Sequence, residues 1–174
     1  LDGEYASAIA EAPSGVLYIG GGNANTGRFV IARTSAQGVR DLGFGTGGLA
    51  RDRPSGDLNS PHHLYALAVQ ADGKPVAAGS ALTGVNSDVV ICRYNVAGNL
   101  DSSFGGDGCV RHALDQIAGG RDAAYALTLL PDGKFLLAGA VETALHNIGV
   151  LTGLAQEMEQ RVAALAPAEG LATR

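Results

Sequence analysis

Two adjacent histidines, His62 and His63, have side chains that could support chemistry. They could ligate a metal ion or exchange a proton near neutral pH. Their surroundings predict a loop between structural units, where adjacent side chains of an extended chain point to opposite sides. Such a pair is a poor bidentate ligand. We therefore expect solvated loop histidines, and we keep both as weak candidates for ligand binding.

The only two cysteines, Cys92 and Cys109, form a second candidate pair. The residues 60 positions earlier are Ala32 and Leu49, which are both apolar, so the cysteines are predicted at inward positions of neighbouring strands. Their thiols could lie opposite one another and form a disulfide in an oxidising compartment, or remain a pair of buried thiols. Because the earlier unit has no bridge, the sequence favours buried thiols.

Acidic residues among glycines raise the question of a calcium loop at Asp101 and Asp107. A calcium loop of the EF-hand type needs oxygen ligands at alternate positions and a closing glutamate. Here residues 102–104 are Ser, Ser and Phe, and Gly47 stands 60 positions before Asp107. The sequence therefore predicts a turn, with no metal and no cofactor.

A catalytic or nucleotide-binding motif is not apparent. There is no G-x-S-x-G nucleophile elbow, and the glycines at 20–22 are followed by a polar loop and a strand pattern, whereas a phosphate loop requires a helix start. Arg33 and Arg93 recur at equivalent positions, which favours structural pairing with carbonyls or acids. We expect no catalytic residue.

The elements that carry these residues repeat with a period of 60. Asp41, Phe44 and Gly48 recur as Asp101, Phe104 and Gly108, and Tyr65, Gly73, Lys74 and Gly79 recur as Tyr125, Gly133, Lys134 and Gly139. A fixed period of this length predicts an array of similar structural units.

The recurring string has a structural interpretation that needs no ligand. Asp101 can accept backbone hydrogen bonds in an Asx turn, and Phe104 can wedge the loop between neighbouring units. Gly105 and Gly108 permit chain reversals, as Gly73 does in a hairpin turn.

The pattern of short apolar segments predicts an all-β fold: a β-propeller-like array of four-stranded antiparallel blades, with two full units and a partial third. The repeats span residues 1–152, divided at about 1–60, 61–120 and 121–152. Val76–Ala78 is apolar on both faces, which requires cover on both sides, as when sheets stack.

A C-terminal helix and tail are predicted over residues 153–174. Apolar residues recur there at intervals of three and four, namely Leu151, Leu154, Met158, Val162 and Leu165, and Pro167 ends the pattern. We expect this helix to pack on the last sheet and to cover a strand edge.

Composition narrows the classes of partner. The chain has 174 residues, 46% hydrophobic residues and a net charge of −5, with no basic cluster. Nucleic acid is an unexpected partner for such a charge, and no apolar run has the ~20 residues of a membrane helix. No leader precedes the first repeat, so we expect no signal peptide in this sequence, as for a processed product or a piece of a longer protein.

Two strings resemble a known family. AVQADGKPVAAG at 68–79 and RYNVAGNLDSSFGGDG at 93–108 are similar to the bacterial delta-60 repeat, a propeller-type unit. The resemblance covers most of residues 5–151 and is strongest in the second unit. It implies an extracellular or cell-envelope protein, and it implies no activity shared across the family.

Three functions remain open. The leading one is a non-enzymatic scaffold that binds a protein or glycan, with its ring completed by a longer propeller or by homo-oligomerisation. The second is a propeller lyase or hydrolase whose axial site would gather His62, His63 and Arg111. The third is a spacer that only extends a surface protein.

Overall fold

The computed structural model describes residues 3–54, 61–84, 86–114 and 120–142. In these residues the chain forms β-strands and no helix: β1 (Glu4–Glu11), β2 (Leu17–Asn23), β3 (Arg28–Thr34), β4 (Leu49–Asp52), β5 (His62–Val69), β6 (Pro75–Thr83), β7 (Asn86–Arg93), β8 (Cys109–His112), β9 (Arg121–Leu129) and β10 (Phe135–Glu142). The helix and tail predicted over residues 153–174 lie outside the described residues.

The strands group into three units that follow the repeat. Unit 1 is the antiparallel sheet β1–β2–β3–β4, and unit 2 is the antiparallel series β5–β6–β7–β8. Unit 3 is the hairpin β9–β10. Antiparallel pairing of the first three strands in units 1 and 2, and of the hairpin in unit 3, follows from the short turns between them, which leave too few residues for a crossover.

The predicted fold class needs correction, because the described strands form two sheets and not a series of separate blades, and the described residues contain no helix. Unit 3 belongs to the sheet of unit 2: β9 pairs with β7 in parallel, at the single pair Ser87 and Arg121. The sequence could not reveal this junction, since it depends on the stacking of the units. The all-β class and the propeller-like arrangement of strands are consistent with the structure.

Strand β6 shows how the units pack. Ala77 is buried in the core shared by units 1 and 2, whereas its neighbour Ala78 is buried in a second core with Ala124 of unit 3. Alternate residues of a strand face opposite sides of the sheet, so this strand is covered on both faces. The prediction made from Val76–Ala78 is confirmed.

A β-bulge recurs in the first strand of each unit. The pairing register skips Ser7 in β1, Tyr65 in β5 and Tyr125 in β9. Opposite the bulge lies a glycine: a Cβ at Gly79 would lie 1.9 Å from the carbonyl oxygen of His63, and Gly21 and Gly139 show the same approach to Tyr5 and Ala123. The bulge therefore requires glycine and turns the skipped side chain away from the sheet.

Candidate functional site

The first strands of the three units lie side by side. β1 contacts β5, β5 contacts β9, and both β1 and β5 are the terminal strands of their sheets. In a propeller the strands in this position surround the central axis. We call the side formed by β1, β5 and β9 the inner edge.

A continuous row of rings crosses the inner edge. The hydroxyl of Tyr5 lies 3.0 Å from Nδ1 of His63, and the His63 ring stacks on Tyr65 with centroids 5.9 Å apart. The ring of Tyr65 then lies 4.9 Å from that of Tyr125, tilted by 53°. We call Tyr5, His63, Tyr65 and Tyr125 the aromatic row. It joins all three units.

The row remains accessible to solvent. Tyr5 is 40% exposed and Tyr125 is 54% exposed, while His63 and Tyr65 are half-buried. Tyr65 and Tyr125 are the residues that the bulges turn out of the sheet. Exposed aromatic rings with polar tips are enriched where proteins bind ligands, because they combine apolar faces with hydrogen-bonding groups.

The row has little charge of its own. Burial, and to a smaller extent the neighbouring Tyr65, raise the pKa of the Tyr5 hydroxyl, which therefore stays protonated at neutral pH. The adjacent carboxylate, Glu4, is paired with Arg51 at 2.8 Å. The row is thus a surface of ring faces, hydroxyls and one imidazole.

His62 and His63 lie at the start of β5, and the predicted loop position is wrong. Their side chains diverge as expected for neighbours in a strand: His63 joins the row, whereas His62 is 1% exposed. Nδ1 of His62 lies 2.9 Å from the carbonyl oxygen of Gly27 in unit 1. A carbonyl can only accept, so Nδ1 donates, and His62 connects units 1 and 2.

The residues proposed for an axial enzyme site lie apart. Arg111 is on β8, three strands from His63 on β5, and its Nη1 donates to Oδ2 of Asp107 at 3.0 Å. Three strand spacings correspond to about 14 Å. The arginine and the histidines are therefore not in contact with a common substrate position.

The two recurring arginines each bind the aspartate of the repeated string. Arg33 donates from Nε to Asp41 at 2.9 Å, and Arg93 donates from Nε to Asp101 at 3.0 Å. Each guanidinium also lies over the phenylalanine of its string, at 5.1 Å from the Phe44 centroid in unit 1. The prediction of structural partners is confirmed.

Asp101 forms the predicted Asx turn. Its Oδ1 accepts from the backbone N–H of Ser103 at 3.1 Å and from the Ser103 hydroxyl at 2.6 Å, while Lys74 lies 3.3 Å from Oδ2. Hydrogen bonds from Ser103, together with Lys74 and Arg93, hold the pKa of the Asp101 carboxyl well below its usual range. Its oxygens are engaged in the loop.

The phenylalanines of the repeated string lie between units. Phe44 is fully buried, edge-on to Tyr18 at 5.7 Å, and a Cβ added at Gly98 of unit 2 would meet its ring at 3.1 Å. Phe104 is half-buried and edge-on to Phe135 of unit 3 at 6.0 Å. Both occupy the position that a wedge between units requires.

The remaining glycines of the string and hairpins occur where the backbone is left-handed. Positive φ angles are found at Gly48, Gly73, Gly105, Gly108 and Gly133. At Gly105 a side chain would also collide with the backbone, since a Cβ would lie 2.3 Å from the carbonyl oxygen of Cys109. This glycine allows the loop to close onto β8.

Cys92 and Cys109 are joined by a disulfide, whereas the sequence favoured free thiols. The two residues are direct partners in the β7–β8 register, with Cα atoms 4.1 Å apart. In unit 1 the corresponding register pair is Ala32 and Leu49. The bond therefore adds a covalent link at a position where unit 1 uses apolar packing.

In residues 3–54, 61–84, 86–114 and 120–142, no group of three or more His, Cys, Asp or Glu side chains could hold a metal ion. No helix in the same part of the chain has the length and apolarity to cross a membrane.

The aromatic row was missed by sequence reasoning. The recurrence of Tyr65 as Tyr125 is a signal in the sequence, but by itself it indicates only the repeat. His63 and Tyr5 could not be added to the pair, since the bulges and the lateral contact of β1 with β5 are tertiary features. Of the four residues of the row, only His63 is a candidate for ligand binding from the sequence.

Comparison with known protein families supports the propeller class. Residues 70–104 match a family described as a domain of unknown function (DUF5122) beta-propeller. The match covers β6, β7 and the loop with Asp101 and Phe104. These residues thus resemble a propeller-type repeat, in agreement with the all-β structure. No curated protein matches the chain.

Proposed function

We propose that this chain is a sector of a propeller-type scaffold that binds its ligand at the inner edge and catalyses no reaction. The observation that carries the proposal is the aromatic row, which crosses three units and keeps its outer rings exposed. The separation of Arg111 from His63 argues against the axial enzyme, and the exposed row argues against a passive spacer.

We also propose that further units complete the ring. Propellers close with four to eight blades, whereas the described strands make two four-stranded units and a hairpin. The additional units would come from the rest of a longer chain or from further copies. Light scattering should show a discrete oligomer in the second case; a monodisperse monomer would exclude copies and leave only the longer chain.

A secreted or cell-surface location is part of the proposal. Disulfides persist in oxidising compartments and are rare in the reduced cytosol. The cross-strand bond between Cys92 and Cys109 supports such a location, in line with the delta-60 resemblance. Thiol trapping of the protein in its native cells tests this: recovery of both cysteines as free thiols would contradict it.

An array that carries both oligosaccharides and unstructured peptides tests the binding role. We expect retention of the wild-type chain on at least one probe and its loss in a Tyr65→Ala/Tyr125→Ala variant. Leu42→Ala is the matched control, because Leu42 is 65% exposed and lies in the loop between β3 and β4, whereas the row of unit 1 lies on β1. If no probe of either class shows retention that depends on the row, the binding role is wrong.

A further inference from the structure

The chemistry of the aromatic row indicates the class of its ligand. We infer that the row is a stacking platform for a neutral oligosaccharide. This inference rests on the proposed binding function and narrows it to one ligand class. It depends on the shape, the polarity and the charge of the row.

The shape of the row suits a sugar at its exposed end. The rings of His63 and Tyr65 stack on each other with 16° between their planes, so these two rings partly cover one another. Tyr125, which is 54% exposed, follows at 4.9 Å from Tyr65. A pyranose ring has an apolar face of C–H groups that packs on an exposed aromatic ring, so an oligosaccharide can place one sugar on Tyr125 and extend along the row.

The polarity of the row also suits a sugar. The row carries hydrogen-bonding groups beside its apolar faces: the Tyr5 hydroxyl, the His63 imidazole and the phenol groups of Tyr65 and Tyr125. Sugars carry hydroxyls around an apolar ring face and match this alternation. The Tyr5 hydroxyl and His63 are paired with each other, so a purely apolar partner would desolvate chiefly the phenol groups of Tyr65 and Tyr125, which is costly.

The charge of the row favours a neutral ligand. The row contains no Asp, Glu, Lys or Arg, and the adjacent Glu4 is paired with Arg51, so it offers no permanent charge to a charged ligand. Single-stranded nucleic acid also stacks on aromatic rings, but it requires a positive groove for its phosphates. The chain has a net charge of −5. A neutral sugar is the stacking ligand that fits this surface.

Titration with soluble oligosaccharides tests the inference. The probes are cello-, laminari-, chito- and manno-oligosaccharides. The chain contains five tyrosines and no tryptophan, so its intrinsic fluorescence reports on tyrosine, three of which lie in the row. We expect a saturable change with at least one probe, and calorimetry gives the affinity.

Variants locate the site. Truncation of one stacking ring should weaken binding about two- to tenfold, so Tyr65→Ala and Tyr125→Ala should each do so, and Leu42→Ala should not. Circular dichroism verifies the fold. Tyr125→Ala removes the most exposed ring of the row and keeps the test valid if Tyr65→Ala fails to fold.

The outcomes separate the two proposals. Retention on peptide probes alone, dependent on the row, would overturn the saccharide inference and leave the binding function intact. Saccharide binding that both tyrosine variants preserve would also overturn the inference, since the sugar would then bind elsewhere. If neither probe class depends on the row, both proposals fail. A change in solution mass in Tyr125→Ala, without saccharide binding, would assign the row to self-association.

Discussion

The disulfide between Cys92 and Cys109 gives the sharpest prediction, because unit 1 supplies its own control. The bond joins β7 to β8, and its cysteines are separated by 17 positions in the sequence. At the same register position unit 1 has Ala32 and Leu49. The variant Cys92→Ala/Cys109→Leu therefore replaces the covalent link with a pair that the fold already accommodates.

The magnitude follows from the closed loop. A cross-link that closes a loop of this length removes unfolded-state entropy equivalent to about 3 kcal/mol of stability at 25 °C. Both cysteines are buried in the core between units 1 and 2, so the apolar replacements keep most of the packing. We expect the free energy of unfolding to fall by about 3 kcal/mol in the double variant, less any gain from the larger leucine.

Equilibrium urea unfolding, followed by circular dichroism with and without a reducing agent, measures this effect. Reduction should shift the wild-type midpoint to lower urea and leave the double variant unchanged. Alkylation without reduction, followed by mass spectrometry, establishes that the oxidised sample contains the bond. Equal midpoints for oxidised and reduced wild-type protein would refute the reasoning.

Two further predictions concern the bulge and the repeated string. Gly79→Ala should destabilise the protein by about 3 kcal/mol in chemical denaturation, because its Cβ would lie 1.9 Å from the carbonyl oxygen of His63. Gly43→Ala is the control: its Cβ would meet only the Asp41 carboxylate, at 3.2 Å, so it should cost far less, and equal losses would contradict the clash. Because the pKa of Asp101 is lowered in the folded state, the stability that this carboxylate contributes is present above its ordinary pKa of 3.8 and is lost as pH falls toward the folded-state pKa. Below about pH 4 the free energy of unfolding should therefore fall more in the wild type than in Asp101→Asn, and parallel pH profiles of unfolding would contradict the assignment.

Local chemistry explains which parts of the fold were predictable. Turn glycines such as Gly73 and the apolar run of β6 mark strands and hairpins within a short window, and the structure contains them. The recurrence of Arg33 and Arg93 predicts structural pairing with carbonyls or acids, and the structure gives Asp101 as the partner of Arg93. Each of these features is specified by neighbours in sequence or by the period of the repeat.

Errors occurred where contacts between units decide the outcome. His62 and His63 were placed in a loop, yet they extend β5, because His62 is buried against Gly27 of unit 1. The glycines at 20–22 belong to β2, which continues to Asn23, and Gly21 faces the bulge of β1. The junction of β9 with β7 is likewise a consequence of stacking, to which no local pattern corresponds.

The aromatic row could instead serve only to hold the first strands together, and the structure distinguishes this role from binding. Units 1 and 2 already share a core that includes Leu64 and Ala77, and units 2 and 3 share one that includes Ala78 and Ala124. Tyr125, by contrast, is 54% exposed, and truncation of such a side chain usually changes stability by well under 1 kcal/mol. If the row served only to hold the strands together, truncation of Tyr125 should cause a larger loss of stability. If Tyr125→Ala unfolds like the wild type but no longer binds saccharide, then the ring is kept at the inner edge for its ligand.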